Sequence, residues 1–177
     1  MRRLFFLVLV SAALLFSSCG ERTPPPPAAD LLSVMLSAAE ETVQQLPDGV
    51  TRLTAADPAS PDRLTETFFS ALYGEAAGGL LGGDSAQGPP ITDGALFLSI
   101  APYPCELAVF CCSDGETART VAALCRRRLD DLERGFRGSE WEETAAGGRV
   151  AMEGNYVLMV LCEDPTPLLE AAARRIH

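Results

Sequence analysis

The sequence predicts an α+β fold: a four-stranded antiparallel sheet built from two strand-strand-helix units, packed by helices and preceded by an N-terminal helical segment. Three observations predict it. Ala95–Ile100 and Leu107–Cys112 are apolar, β-prone runs separated by little more than Pro102-Tyr103-Pro104, a spacing at which strands pair antiparallel. A long amphipathic helical pattern follows them. The plan then repeats, with runs at Arg149–Glu153 and Tyr156–Cys162 meeting at a tight Gly154-Asn155 turn and a second helix after them.

In chain order, Asp30 is suited to cap a helix over 31–46, where Leu32, Met35, Ala39, Val43 and Leu46 recur on one face until Pro47-Asp48-Gly49 stops it. Ser60, followed by Pro61 at the first helical position, opens a shorter helix that aligns Leu64, Phe68 and Leu72 before Tyr73-Gly74. From Glu75 to Pro90 the composition turns to Gly, Ala and Pro, a flexible loop without the strand context a phosphate-binding glycine motif needs. Ser113-Asp114-Gly115-Glu116 reads as a capping box for a helix over 114–136. That helix turns Val121, Cys125, Leu129, Leu132 and Phe136 inward and Arg126, Arg127, Asp130, Asp131, Glu133 and Arg134 to solvent. Asp164-Pro165 opens the last helix, and residues 30–177 are assigned to one domain.

The N-terminus is of a different kind. Met1-Arg2-Arg3 supplies positive charge, Leu4 to Phe16 supplies 13 uncharged residues, and Ser17-Ser18-Cys19-Gly20 closes the run, which is the pattern of a secretory signal over 1–18. The run is short for a membrane span. Cys19 at its end matches the bacterial lipoprotein cleavage box, in which the cysteine receives the lipid and becomes the first mature residue; Phe16 stands where that box usually has Leu. Ordinary signal-peptidase cleavage after Cys19, with Ser17 as the small residue, is the competing reading. Residues 19–29 then form the lipidated cysteine and a tether, whose Pro24-Pro25-Pro26-Pro27 favours polyproline II at about 3.1 Å per residue. This places the domain on the extracytoplasmic face of the cell membrane.

Charge narrows the function classes. Of 177 residues 24 are Asp or Glu and 14 are basic, for a net charge of −10, and every basic residue is an arginine. Without lysine there is no Schiff-base enzyme and no P-loop. Removing residues 1–18 takes away Arg2 and Arg3 and no acid, so the mature chain is more acidic still, which disfavours nucleic acid and anionic lipid as partners. The membrane must be reached through lipid on Cys19, and the expected partner is an envelope protein or wall component.

Taken together, the leading signal and helix, Leu72-Tyr73-Gly74, Glu106-Leu107-Ala108-Val109-Phe110, the Arg/Asp-rich helix and Gly154-Asn155-Tyr156-Val157-Leu158-Met159-Val160 resemble a family of small Gram-positive lipoproteins known only as a domain of unknown function. The resemblance runs from about Asp30 to Ile176. It departs from the family in using arginine where members use lysine and in a longer Gly-rich loop over 74–90. What it implies is location and fold, with no catalytic residue to transfer.

Beyond Cys19 there are five cysteines, Cys105, Cys111, Cys112, Cys125 and Cys162, an odd number that cannot all pair within one chain. Two readings are open: a disulfide between neighbouring strands in an oxidising exterior, for example Cys112 with Cys162, or five small buried hydrophobes. Their spacing is not that of a zinc site, and no metal or cofactor is expected. His177, the sole histidine, is terminal, so no Ser-His or Cys-His system is expected. The acidic pairs Asp130-Asp131, Glu142-Glu143 and Glu163-Asp164 read as solvated surface charge, the first as partners of nearby arginines. Trp141, the only tryptophan, reads either as a residue that folds back to cap one end of the core or as a partner contact; Tyr103, between two prolines, is the other candidate partner contact, while Tyr156 is expected to pack on the sheet. The sequence therefore points to a non-enzymatic binding module of the envelope. A small-ligand protein with its site between the sheet and the Gly-rich loop is the alternative, and a carboxylate-dependent hydrolase stands third.

Overall fold

A computed structural model describes residues 24–42, 44, 46–82, 88–100 and 102–177; the signal segment, Cys19 and Val43 lie outside the described residues. In chain order the elements are α1 (Ala28–Glu41), β1 (Gly49–Leu53), α2 (Glu66–Tyr73), a 3-10 turn (Glu75–Ala77), β2 (Ile91–Ser99), β3 (Glu106–Cys112), α3 (Gly115–Phe136), α4 (Glu142–Ala146), β4 (Arg149–Glu153), β5 (Tyr156–Leu161) and α5 (Thr166–Ile176). The class is α+β, and the sheet has five strands, in the order β1-β2-β3-β5-β4 with every neighbour antiparallel.

The fifth strand is β1, which pairs with β2 from Gly49↔Ser99 to Leu53↔Ala95. Gly49, expected as a helix stop, is required by close approach: a Cβ there would lie 2.3 Å from the Phe97 ring. The β2-β3 and β4-β5 hairpins meet along β3 and β5, registered from Glu106↔Leu161 to Cys111↔Tyr156. The strand-strand-helix plan is therefore present twice, with its two helices on opposite faces of the sheet.

Side-chain alternation along each strand divides the core in two. One face turns Leu96, Ala108, Phe110, Val157 and Met159 toward α2 and α3, where Phe69, Tyr73, Val121 and Cys125 close the layer. The other turns Phe97, Leu107, Val109, Leu158 and Val160 toward α1 and α5, where Leu31, Met35, Leu168 and Ala172 meet them. Covering both faces explains why β5 is buried at all six positions, a continuous apolar run and not an alternating one.

Several helix starts differ from expectation, each for a local reason. Helix α1 begins at Ala28, before Asp30, which sits in its first turn; Pro27 offers no side-chain cap. Helix α2 is capped by Thr65, whose hydroxyl accepts from the Phe68 N–H, because residues 62–64 are drawn off to the edge of β1: Leu53 N–H donates to Asp62 O and Leu64 N–H to Leu53 O. The start of α3 is capped by Asp114 and not by a Ser113 box, its carboxylate accepting from the Glu116 and Thr117 N–H groups at 2.9 and 2.8 Å.

Candidate functional site

The strands β3 and β5 end together at one corner of the molecule. One position beyond their ladder, the register sets Cys105 opposite Cys162, both buried in the α1/α5 cluster. Just before Cys105, the proline-bracketed Tyr103 leaves the sheet. Trp141 comes to it from the far end of α3, and the two rings meet edge to face with centroids 4.7 Å apart at 74°. The two aromatic residues singled out separately in the sequence thus form one half-buried pair, a geometry worth roughly 0.5–1.5 kcal/mol beyond its area.

The turn that delivers Trp141 is built from local hydrogen bonds. The Ser139 hydroxyl donates to Phe136 O at 2.6 Å and accepts from the Trp141 N–H at 3.2 Å, while the Glu142 carboxylate accepts from the Gly138 N–H at 2.8 Å. This turn leads into α4, the short helix absent from the sequence reading. Burial, with Cys105, Glu163 and Cys162 nearby, holds the Tyr103 phenol above its ordinary pKa. At neutral pH the corner offers apolar ring surface and a protonated phenol.

Of the two readings open for the cysteines, the Cys112–Cys162 bridge is not formed. Cys112 belongs to the α2/α3 cluster and Cys162 to the α1/α5 cluster, so the sheet lies between them; a strand's alternation sends these positions to opposite faces. All five thiols are free. Burial pushes Cys105, Cys112 and Cys162 up to about 12 and Cys125 upward as well, which suppresses the nucleophilic thiolate.

A charged cluster that the sequence reading did not single out lies inside the α2/α3 face. Glu106, the one charged residue buried among the described residues, accepts at Oε1 from the Tyr73 hydroxyl at 3.2 Å and at Oε2 from Arg128 Nε at 3.0 Å. Desolvation raises the Glu106 carboxyl despite the opposing Arg128 charge and these hydrogen bonds, and burial beside Glu106 raises Tyr73 strongly. Both carboxylate oxygens are partnered, and the rings of Phe69, Tyr73 and Phe110 pack together next to them. The cluster is a latch between α2, β3 and α3. Its sequence signal was a glutamate opening an otherwise apolar strand and an arginine three residues after Cys125 on the inward stripe.

The acidic pairs are surface features. Asp131 pairs with Arg134, Asp164 accepts from the Thr166 N–H at 3.2 Å, and Glu142 closes the Trp141 turn. His177 is exposed, with Nε2 3.0 Å from a Glu153 carboxylate oxygen. Tyr156 packs on the sheet as expected and donates its hydroxyl to Pro26 O at 2.7 Å.

A cleft of about 370 Å³ opens between β2, the α2 cap and the Gly-rich segment, lined in part by Thr54, Arg63, Thr65, Leu81, Ile91 and Thr92. Its polar rim is mostly engaged. Thr54 donates to Asp93, Arg63 to Ala56 O and Thr92 to Cys111 O, while Glu66 accepts from the Gly79 and Leu81 N–H groups and so pins the Gly-rich segment to α2. Among the described residues no group of three or more His, Cys, Asp or Glu side chains could hold a metal ion, and no helix is long and apolar enough to cross a membrane. No family model matches the chain, and no significant match is found among curated proteins or solved structures.

Proposed function

We propose that the chain is an extracytoplasmic lipoprotein, anchored through lipid on Cys19, whose α+β domain is a non-enzymatic binding module that presents the Tyr103-Trp141 corner to an envelope protein or wall component. One observation carries this reading. The tether docks at one end of the central strands, where Tyr156, paired with Cys111 at the end of β3, holds Pro26. The aromatic pair lies at the other end, before Glu106 opens β3. Six residues of strand at about 3.4 Å each set the two roughly 20 Å apart. A domain held at its Pro26 end therefore turns the aromatic corner away from its anchor. The resemblance to small Gram-positive lipoproteins, carried by the residues quoted above, supports the same placement.

The test is crosslinking pull-down from membranes with the wild type, Cys19→Ala and Trp141→Ala. The wild type is expected in the membrane fraction with a specific partner, Cys19→Ala outside that fraction, and Trp141→Ala anchored and folded but capturing at least tenfold less. Equal capture by Trp141→Ala would remove the corner from the reading, and a membrane-bound Cys19→Ala would remove the lipid. A second reading, a small-ligand protein, is favoured by the cleft at Thr54, Arg63 and Leu81, which lies between the sheet and the Gly-rich segment. A metabolite that raises the melting temperature would support it.

A further inference from the structure

We infer that β4 is a self-complementary edge through which two copies of this chain associate, extending the sheet across a two-fold axis at Ala151. The two outer strands of the sheet are treated differently. The edge of β1 is partly closed by residues 62–64, which bond to Leu53 on both its N–H and its carbonyl and add an Arg52-Asp62 ion pair at 3.3 Å. Along β4 the described residues place no backbone partner on the side away from β5. An open edge is a template for another strand, and proteins that avoid such pairing blunt the edge with proline, a bulge or a charge in mid-strand. Strand β4 has none of these. It reads Arg149-Val150-Ala151-Met152-Glu153, with its charges only at the ends.

That order decides which strand fits. Antiparallel pairing of β4 with β4 of a second copy, centred on Ala151, places Arg149 opposite Glu153 and Val150 opposite Met152 in both directions, the isologous pattern a two-fold axis requires. The faces agree as well. Ala151 pairs with Leu158 on the α1/α5 side, with Arg149 and Glu153 at the two ends of the same alternating row, whereas Val150 and Met152 pair with Met159 and Val157 on the α2/α3 side; within one copy the Arg149 guanidinium donates to Gly147 O and Gly148 O at 2.8 Å and Glu153 meets His177 at 3.0 Å. Charge therefore meets charge on one face and apolar meets apolar on the other. Beside Val150 the structure keeps a groove of about 340 Å³ with Leu129, Ala145 and Val150 among its lining and Arg126, Asp130 and Glu133 also bordering it. Met152 of the second copy, opposite Val150, is the side chain the pairing delivers to that groove. By contrast, β1 centred on Thr51 would set Val50 against Arg52 and has no such complementarity.

The experiment uses the full chain in mild detergent. Ala151→Cys is oxidised in parallel with Thr51→Cys, and association is measured by sedimentation equilibrium for the wild type, Arg149→Glu, Glu153→Arg and the double exchange. Only a residue on the axis meets its own copy, so Ala151→Cys is expected to form a disulfide-linked dimer at least tenfold faster than Thr51→Cys or the wild type. Each single charge reversal is expected to weaken association at least tenfold, because it opposes like charges at both ends of the pair, and the double exchange to restore it. A monomeric wild type, with Ala151→Cys linking no faster than Thr51→Cys, would overturn the inference. So would a double exchange as weak as the singles, or an edge that pairs with another protein and leaves Ala151→Cys unlinked to itself. If a charge variant fails to fold by circular dichroism, the cysteine comparison decides.

Discussion

Replacing Arg128 with Met leaves the Glu106 carboxylate in the core with its cation gone and only the Tyr73 hydroxyl at its other oxygen. Breaking a buried ion pair by removing one partner typically costs about 3–5 kcal/mol, since the remaining charge has lost both solvent and counter-charge. Here Glu106 is 3% exposed but Arg128 is 22% exposed, so water can reach the vacated side and the lower end, about 3 kcal/mol, is expected. For a chain of this size that corresponds to a melting temperature lower by roughly 6–12 °C. The pH dependence carries a sign. Burial raises the Glu106 carboxyl above its ordinary 4.5, so its contribution is fully present below that value and is lost as pH rises through the folded-state value. Without Arg128 the carboxyl is raised further, and the variant's deficit must narrow as the pH falls toward 4.5. Urea unfolding followed by circular dichroism at neutral pH and near pH 4.5 measures both quantities. Adding Glu106→Gln to Arg128→Met removes the orphan charge and is expected to recover at least half of the loss at neutral pH. A loss below about 1 kcal/mol, or a deficit independent of pH, would refute the ion-pair account.

Two further outcomes test the packing. Cys105 and Cys162, pushed from an ordinary 9.0 up to about 12 by burial, hold on the order of a thousandfold less thiolate than an ordinary thiol; alkylation followed by peptide mapping should label half-buried Cys111 first and these two only on unfolding, and labelling of Cys105 at the rate of a free peptide would contradict its placement. Gly154→Ala, at a turn residue with φ of +59°, should cost about 1 kcal/mol in thermal unfolding while leaving the far-UV spectrum unchanged, and a neutral result would show that the β4-β5 turn does not require left-handed backbone.

The parts of this fold that were legible in the sequence are those whose signal is local. Gly154-Asn155 between two apolar runs fixed β4 at Arg149–Glu153 and β5 within one residue of its end, and the stripe through Val121, Cys125 and Leu129 located α3. Strand β1 is not visible in the sequence because it is five residues long and begins within Pro47-Asp48-Gly49, a sequence that reads as punctuation, although Gly49 is there to admit Phe97. The start of α2 was placed too early because Ser60-Pro61 is a valid helix opening in isolation; the edge of β1 takes residues 62–64 instead. Helix α4, with five residues, is too short to show a period. Tyr103 and Trp141 each stood out singly in the sequence, but their contact joins residues on different elements and no pattern along the chain encodes it. Glu106 and Arg128 illustrate the same limit: each is an ordinary surface residue type until the register of β3 turns Glu106 inward and the packing of α3 brings Arg128 to it.

The entry of the chain into the domain shows how anchoring and folding are joined. Helix α1 has no side-chain cap of its own at Pro27. Its first N–H, on Ala28, donates instead to Asp93 Oδ2 at 2.8 Å, and Asp93 lies on β2 beside the register irregularity between Ile91 and Asp93. The other oxygen of Asp93 accepts from the Thr54 hydroxyl at 2.7 Å and the Gly94 N–H at 2.9 Å. One carboxylate thus caps the helix, favourably placed at its positive end, and ties the irregular part of β2 to the segment after β1. One residue before Pro27, Pro26 is held by Tyr156 on β5. The chain is therefore fastened to two strands of the sheet at its entry into the domain, to β5 through Pro26 and to β2 through the first residue of α1. Under the proposed anchoring, a pull on the tether loads β5 through Pro26 and β2 through Ala28 before it reaches the later turns of α1.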